Sequence, residues 1–361
     1  MVKYLAEQVP LFYYDKLKTM RKKYLIAVMM VLSVMMVKTS VGQDPTFSQF
    51  FSSPLNVNPA LTGHINADWR LILNMRDQWF NPSSPYATGT VSFDAKVFQK
   101  QIPNVEEKNI VGVGGMLMYD YTMNGIVQGA YGSINLSYNI LIAEDFYGNK
   151  HRLGLGFGGT YANRYVDFSR LNFQAQFTGN GFNQNLPTGE AALSNMTPFF
   201  SASAGFLYSY ITAKSNLDIG GAVYHLNEPK QTFLNDPQQF ILPRYVGNIS
   251  YETFLNDGLV LNTNAIYQKQ GAANYFSIGG ALGVFLDPDG QSIFNIGVWY
   301  WSQNAIVPYV GFAYNDLQVG LSYDATISKL NEAAAKPTTF EISIILRGKN
   351  KASGIIPCPW K

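Results

Sequence analysis

Three histidines, one cysteine and a few paired carboxylates are the groups in this chain with the types to do chemistry, and their spacing decides against most of it. His64, His151 and His225 stand far apart, with no HxxH or HExxH interval to set two imidazoles on one helical face toward a metal. Structural hydrogen bonding is the simpler role for each. Gly154, Gly156 and Gly159 spell GxGxxG, yet they fall inside an alternating run with no helix pattern after it, so a phosphate cradle lacks its helix N-terminus. Glycines packed against aromatic neighbours on a strand account for them better. Asp287-Pro288-Asp289-Gly290 opens like a calcium loop but lacks the later ligands and the closing bidentate glutamate, which leaves a tight turn. Glu106 and Glu107 read as a solvated pair, and Cys358, between Pro357 and Pro359, has no visible base. No GxSxG occurs, and one cysteine excludes a disulfide framework. These residues predict no enzyme, no cofactor and no metal.

The elements that must position any functional group are strands. Val111, Val113, Leu117, Tyr119 and Tyr121 share one parity while Gly112, Gly114, Met116, Met118 and Asp120 share the other. The next run sets Ala130, Ile134, Leu136, Tyr138 and Ile140 against Tyr131, Ser133, Asn135, Ser137 and Asn139. Such alternation marks strands with one apolar and one polar face. Counting the runs predicts strands over 69–77, 86–95, 110–121, 127–140, 151–164, 200–211, 215–226, 243–254, 259–268, 274–286, 292–302, 305–314, 317–325 and 338–347. That is fourteen, an even number, mostly of the length a tilted strand needs to cross a bilayer, with aromatic residues near many ends as interfacial girdles.

Composition agrees. The chain is 47% hydrophobic and 14% aromatic but only 14% charged, too few ions for the solvated faces of a soluble sandwich or lipocalin-like barrel of 361 residues. Arg21-Lys22-Lys23 leads into an apolar run from Tyr24 to Val37 and then to Ser40 and Gly42, the pattern of a cleaved signal peptide, with Met1 or Met20 as the start. That run is short for a membrane anchor. Residues 1–42 hold seven of the 26 Lys/Arg and two of the 24 Asp/Glu, so the remainder carries a formal net charge of −3 and offers nucleic acid no basic surface. The fold class is therefore all-β: an outer-membrane β-barrel of about fourteen antiparallel strands, closed so that no edge faces lipid.

The expected organisation is 1–42 extension and signal peptide, 43–68 a periplasmic or plug-like segment, 69–347 the barrel and 348–361 a periplasmic tail. With both termini periplasmic, the tight turns at Asn256-Asp257-Gly258, Asp287-Pro288-Asp289-Gly290 and Asn315-Asp316 fall on the periplasmic side, and the long connections after Tyr165, Glu228 and Ala325 fall outside. The connection from Lys96 to Asn109 is long for a periplasmic turn, and Thr122 to Gly125 is short for an outer loop.

Several motifs, in order, resemble one family. Gln43-Asp44-Pro45-Thr46-Phe47-Ser48-Gln49-Phe50-Phe51, Pro54-Leu55-Asn56-Val57-Asn58-Pro59-Ala60-Leu61-Thr62-Gly63, Arg76-Asp77-Gln78-Trp79 and Tyr224-His225-Leu226-Asn227-Glu228-Pro229 are similar to those of the PorP/SprF family of type IX secretion system membrane proteins of the Bacteroidota. Ser322-Tyr323-Asp324, Phe340-Glu341-Ile342-Ser343 and Pro357-Cys358-Pro359 continue the likeness, while Trp360-Lys361 departs from the family's tail. The resemblance implies an outer-membrane barrel serving type IX secretion or gliding motility. Its implied partners are a large surface adhesin with a type-B C-terminal signal and type IX translocon subunits, besides outer-membrane lipid.

The residues expected to matter make contacts and catalyse nothing. Asp44, Phe47, Asn58 and Pro59 order the 43–63 segment through Asx-type turns and fixed proline dihedrals. His225, with Asn227 and Pro229, ends a strand at the outer rim, where its imidazole meets a neighbouring loop. Asp324 and Glu341 face the lumen by parity and pair with Arg347 or another interior arginine. Two other readings stay open at this point: a passive channel or hydrophobic-solute transporter, and an enzyme embedded in the membrane.

Overall fold

The computed structural model describes residues 43–79, 86–98, 109–190, 196–232, 239–302, 304–332 and 338–348. The expected signal peptide within 1–42, the Glu106-Glu107 pair and Cys358 lie outside the described residues.

Fourteen antiparallel strands close on themselves. In chain order the first seven are β1 (Trp69–Gln78), β2 (Tyr86–Val97), β3 (Asn109–Thr122), β4 (Val127–Glu144), β5 (Lys150–Val166), β6 (Phe199–Ile211) and β7 (Ser215–Tyr224). β8 (Arg244–Asn256), β9 (Leu259–Gln270), β10 (Ala273–Phe285), β11 (Ser292–Trp301), β12 (Ala305–Tyr314) and β13 (Leu317–Tyr323) follow. A two-residue piece, β14 (Ala325–Thr326), pairs back on β12, and β15 (Thr339–Gly348) completes the wall. β14 apart, each strand pairs with the next in the chain, β13 with β15, and β1 meets β15 from Trp69 opposite Gly348 to Gln78 opposite Thr339. Because that last ladder leaves no unpaired edge, backbone polar groups in the wall are satisfied within it.

The alternation decides which face is which. Leu73, Leu117, Ile134, Phe157, Phe206, Ile249 and Phe312 are exposed on the outside, whereas Arg70, Asn74, Arg76, Thr90, Asn135, Ser203 and Gln318 are buried inside. This inversion of a soluble protein's pattern is what hydrocarbon surroundings and a polar lumen select. Among the described residues no helix is long and apolar enough to cross a membrane.

Two strands, β7 and β13, end two residues before the alternation does. β7 stops at Tyr224 because His225 takes φ +57°, a left-handed conformation that leaves the ladder. β13 stops at Tyr323, although the Asp324 N–H still donates to the Thr339 carbonyl of β15. The end of the barrel at which β1 begins and β15 finishes is its near end, and the opposite one its far end. Near connections are mostly tight. At the far end the β5–β6 and β7–β8 connections are long, but β9–β10 and β11–β12 are as short as β3–β4, so the alternation of loop lengths is looser than the sequence suggests.

Candidate functional site in the barrel lumen

Residues 43–68 lie inside the wall. Pro45, Pro54 and Pro59 deny this stretch the continuous N–H row a strand needs, and it folds as successive short turns: Phe50–Ser52, Pro54–Val57 and Pro59–Leu61. Its buried backbone groups must then find partners elsewhere. The inward side chains of the wall supply them in three tiers.

At the far mouth the Asp44 carboxylate accepts from His225 Nε2 at 2.8 Å and lies 3.3 Å from Arg244 Nε, while the Asp44 N–H donates to Gln270 Oε1 at 3.0 Å. Burial alone would raise the Asp44 carboxyl, but the Arg244 guanidinium and the His225 hydrogen bond prevail and hold it far below the usual carboxylate range. His225 uses its other ring nitrogen on Ser201 Oγ at 2.8 Å, and Arg244 stacks 4.1 Å over the Tyr224 ring. The imidazole expected to hold a loop instead joins the wall to the lumenal segment. Asn227 does the loop's work, accepting from Ala202 N and donating to the Phe200 carbonyl, and the Pro229 carbonyl accepts from Ile241 N.

One tier deeper, Arg76 sits between Asp324 and Glu341. Its guanidinium donates to Asp324 Oδ2 at 2.9 Å and to Ser48 Oγ at 2.9 Å, lies 3.7 Å from Glu341, and rests 4.6 Å over Trp301. The Glu341 carboxylate in turn accepts the backbone N–H of Ser48 and of Gln49, at 2.8 and 2.9 Å. Arg347, named as one possible partner, is not it. It lies six residues along β15 from Glu341, roughly 20 Å at strand rise, and donates to Gln318 instead. Beside this tier Phe51 stacks on Trp299 at 4.6 Å, edge-on to Tyr309, giving the lumen an aromatic core, and Phe47 is buried as well.

The third tier is a saddle of glycines. A Cβ on Gly156 would lie 2.2 Å from Ala60 N, one on Gly205 2.1 Å from Asn58 Oδ1, and one on Gly112 2.2 Å from the Thr62 carbonyl oxygen. The expectation of aromatic neighbours holds for Gly159, which lies against Phe200, but Gly154 meets Asn139 and Gly156 meets the turn that Pro59 begins. Asn58, fully buried, caps that turn by accepting Ala60 N at 2.9 Å, and donates to the Phe206 carbonyl at 2.9 Å and to Asn248 Oδ1 at 3.2 Å. Nearer the end, Gly63 N–H donates to Asp94, which is itself held by Arg70, and His64 lies 3.1 Å from Asp218. An Asn58→Ala variant is expected to lose about 2–3 kcal/mol, since a cap disappears and buried acceptors stay unpaired. Equilibrium unfolding of the barrel in detergent or vesicles measures it.

Sequence reasoning missed Arg244, Gln49, Gln270 and the glycine seats. The seats had a signal: Gly112, Gly156, Gly205 and Gly220 all fall on the inward parity of their strands. Cys358 lies outside the described residues. His64, His151 and His225 face different partners, His151 bonding Tyr208, and no group of three or more His, Cys, Asp or Glu among the described residues is placed to hold a metal.

Beyond the far mouth the β5–β6 connection carries no charge from Leu171 to Gly189. It is ordered around Gln176, whose amide donates to the carbonyls of Gln184 and Leu186 while its oxygen accepts Phe173 N–H. Phe177 and Phe182 bridge at its tip, rings 5.1 Å apart and both exposed.

Solved barrels resemble this one in fold. The toluene transporter TodX of Pseudomonas putida is 7% identical, with 81% of this chain and 92% of that chain covered and a TM-score of 0.43. A FadL homologue of Pseudomonas aeruginosa is 12% identical, with 80% and 92% covered and a TM-score of 0.41. CdiB of Acinetobacter baumannii is 9% identical at a TM-score of 0.42, covering 77% of this chain, which spans 60% of that one. No curated protein matches the sequence. A family model described as type IX secretion system membrane protein PorP/SprF matches residues 39–346, taking in the lumenal segment and nearly all of the barrel wall. With a closed barrel of outer-membrane type and that match over most of its length, the chain belongs to the PorP/SprF family of type IX secretion system membrane proteins.

Proposed function

We propose that this barrel is the outer-membrane partner of a large exported adhesin carrying a type-B C-terminal signal, which it helps bring through or hold at the cell surface in type IX secretion and gliding. The observation that carries the reading is the family match over residues 39–346. The geometry supports it: the lumen holds the chain's own segment, and the far end presents an ordered, uncharged loop whose exposed Phe177 and Phe182 suit a protein partner. In this reading the far end faces outward, the near turns and the 348–361 tail face the periplasm and the translocon subunits there, and the leader is removed before Gln43.

Gentle solubilisation of outer membranes, capture of the tagged protein and mass spectrometry of its companions test this. A large surface protein with a type IX signal, or translocon subunits, is the expected recovery. The barrel alone, under conditions that keep a known translocon complex intact, overturns the reading in favour of a channel or solute transporter. Protease added to intact cells is expected to cut within 167–190, and protection of that loop inverts the topology.

A further inference from the structure

The segment inside the barrel runs in one direction. Asp68 N–H meets the Gly348 carbonyl at the near end, and Gly63 and His64 meet Asp94 and Asp218 in the near half. Asn58 reaches Asn248 at mid-wall, and Ser48 reaches Glu341 and Asp324 in the far half. Asp44 ends among His225, Arg244 and Gln270, which lie just past β7, at the start of β8 and at the end of β9, all at the far mouth. Gln43 is exposed there. The described chain therefore starts at the end of the barrel opposite to β1.

We propose that this mouth is a binding site for an extended acidic peptide arriving from the far side, and that residues 43–45 of the chain occupy it as an exchangeable ligand. The cradle reads two features of one residue. The carboxylate is met by a guanidinium, an imidazole and the Gln270 amide, and the same amide's oxygen takes the backbone N–H, so a free peptide carrying an aspartate offers the full set of partners. The cradle is more enclosed than its ligand. Arg244 and His225 side chains are 3% and 10% exposed and are held from behind by Tyr224 and Ser201, whereas Asp44 is 20% exposed. Pro45 keeps the ligand stretch from joining the wall as a strand, so its release breaks no ladder. Deeper contacts hold the remainder of the segment in place: the Thr46 carbonyl accepts from Arg76, Phe47 is buried, and Ser48, Gln49 and Asn58 bond to the wall. The complementary partner is an acidic stretch of an exported chain, an assignment that rests on the far end facing outward as in the proposed function.

The test uses the protein purified from outer membranes in a Cys358→Ser background, with a nitroxide on Gln43→Cys. The probe is a synthetic peptide of residues 43–49, Gln-Asp-Pro-Thr-Phe-Ser-Gln, beside its Asn-for-Asp counterpart. An immobile spectrum is expected, turning mobile on adding the acidic peptide, with the Asn peptide weaker by on the order of tenfold or more. Asp44→Asn is expected to be mobile without peptide, and Arg244→Gln to lose the response. Equal release by both peptides, or none at saturation, overturns the site. Where Arg244→Gln fails to fold, the two peptides on the unmutated cradle still decide. In intact cells an impermeant maleimide is expected to label Gln43→Cys and Asn180→Cys and to spare Asp257→Cys. Labelling of Asn180→Cys without Gln43→Cys overturns a site open to the far side. Labelling of Asp257→Cys in place of Asn180→Cys overturns the assigned topology and the exported partner with it, while the peptide arm separately decides the cradle.

Discussion

An Arg76→Met variant is expected to lose about 3–5 kcal/mol of folding stability, the cost of leaving buried carboxylates without their countercharge. Arg76, Asp324 and Glu341 each have side chains no more than 2% exposed, and one guanidinium faces both acids. Methionine fills much of the volume but returns none of the donors, so Asp324 and Glu341 are left 2.8 to 2.9 Å from Ser48 and Gln49 groups that share the burden only in part. The loss is read from the midpoint of urea or guanidinium unfolding in vesicles, with the band shift between folded and heated barrel on gels as a second probe. Adding Glu341→Gln to Arg76→Met is expected to restore part of it, because the neutral amide costs less to bury than the carboxylate. A single variant that unfolds like the parent would mean that the triad contributes nothing net, and additive losses in the double variant would mean that Arg76 and Glu341 do not interact.

The second large effect concerns the lumen itself. A Gly156→Val variant is expected to unseat the 43–68 segment, since even a Cβ would lie 2.2 Å from Ala60 N and 2.3 Å from Pro59 C, and both atoms are backbone in a turn that Asn58 caps. No flexible side chain is there to give way, so the turn must rise off the wall and drag Asn58 from Phe206 and Asn248. In planar bilayers the parent barrel is expected to be electrically quiet and the variant to show steps at least tenfold larger in mean current, given that overpacking of this kind costs about 1–3 kcal/mol or more. Gly159→Ala is the control, because that Cβ points outward toward the Phe200 ring and leaves the seat intact. A parent that already conducts freely would sink the occluded-lumen view and favour the solute-channel reading over the secretion partner.

Much of the wall is legible in the residue order. The fourteen runs fall on the fourteen barrel strands with shifts of a few residues, because in a bilayer barrel every second side chain meets lipid and the others meet the lumen, and that constraint writes itself into the order of residue types. The inward placement of Asp324 and Glu341 follows from the same parity. The early ends of β7 and β13 do not, since His225 takes a left-handed backbone and the His225 and Asp324 side chains reach across the lumen, to Asp44 in one case and Arg76 in the other.

The amino-acid order by itself determined a strand period, an apolar exterior, a polar interior and a proline-broken leading segment unable to join the sheet. Only the tertiary structure decided that this segment enters the lumen at the far mouth, and that inward glycines on β3, β5 and β6 form its seat. It also decided that Arg76, not Arg347, faces the buried acids. The reason is physical: periodicity is a local property carried by neighbours two residues apart, whereas a buried ion pair such as Arg76 with Asp324 joins residues 248 positions apart, whose meeting depends on the register in which the barrel closes.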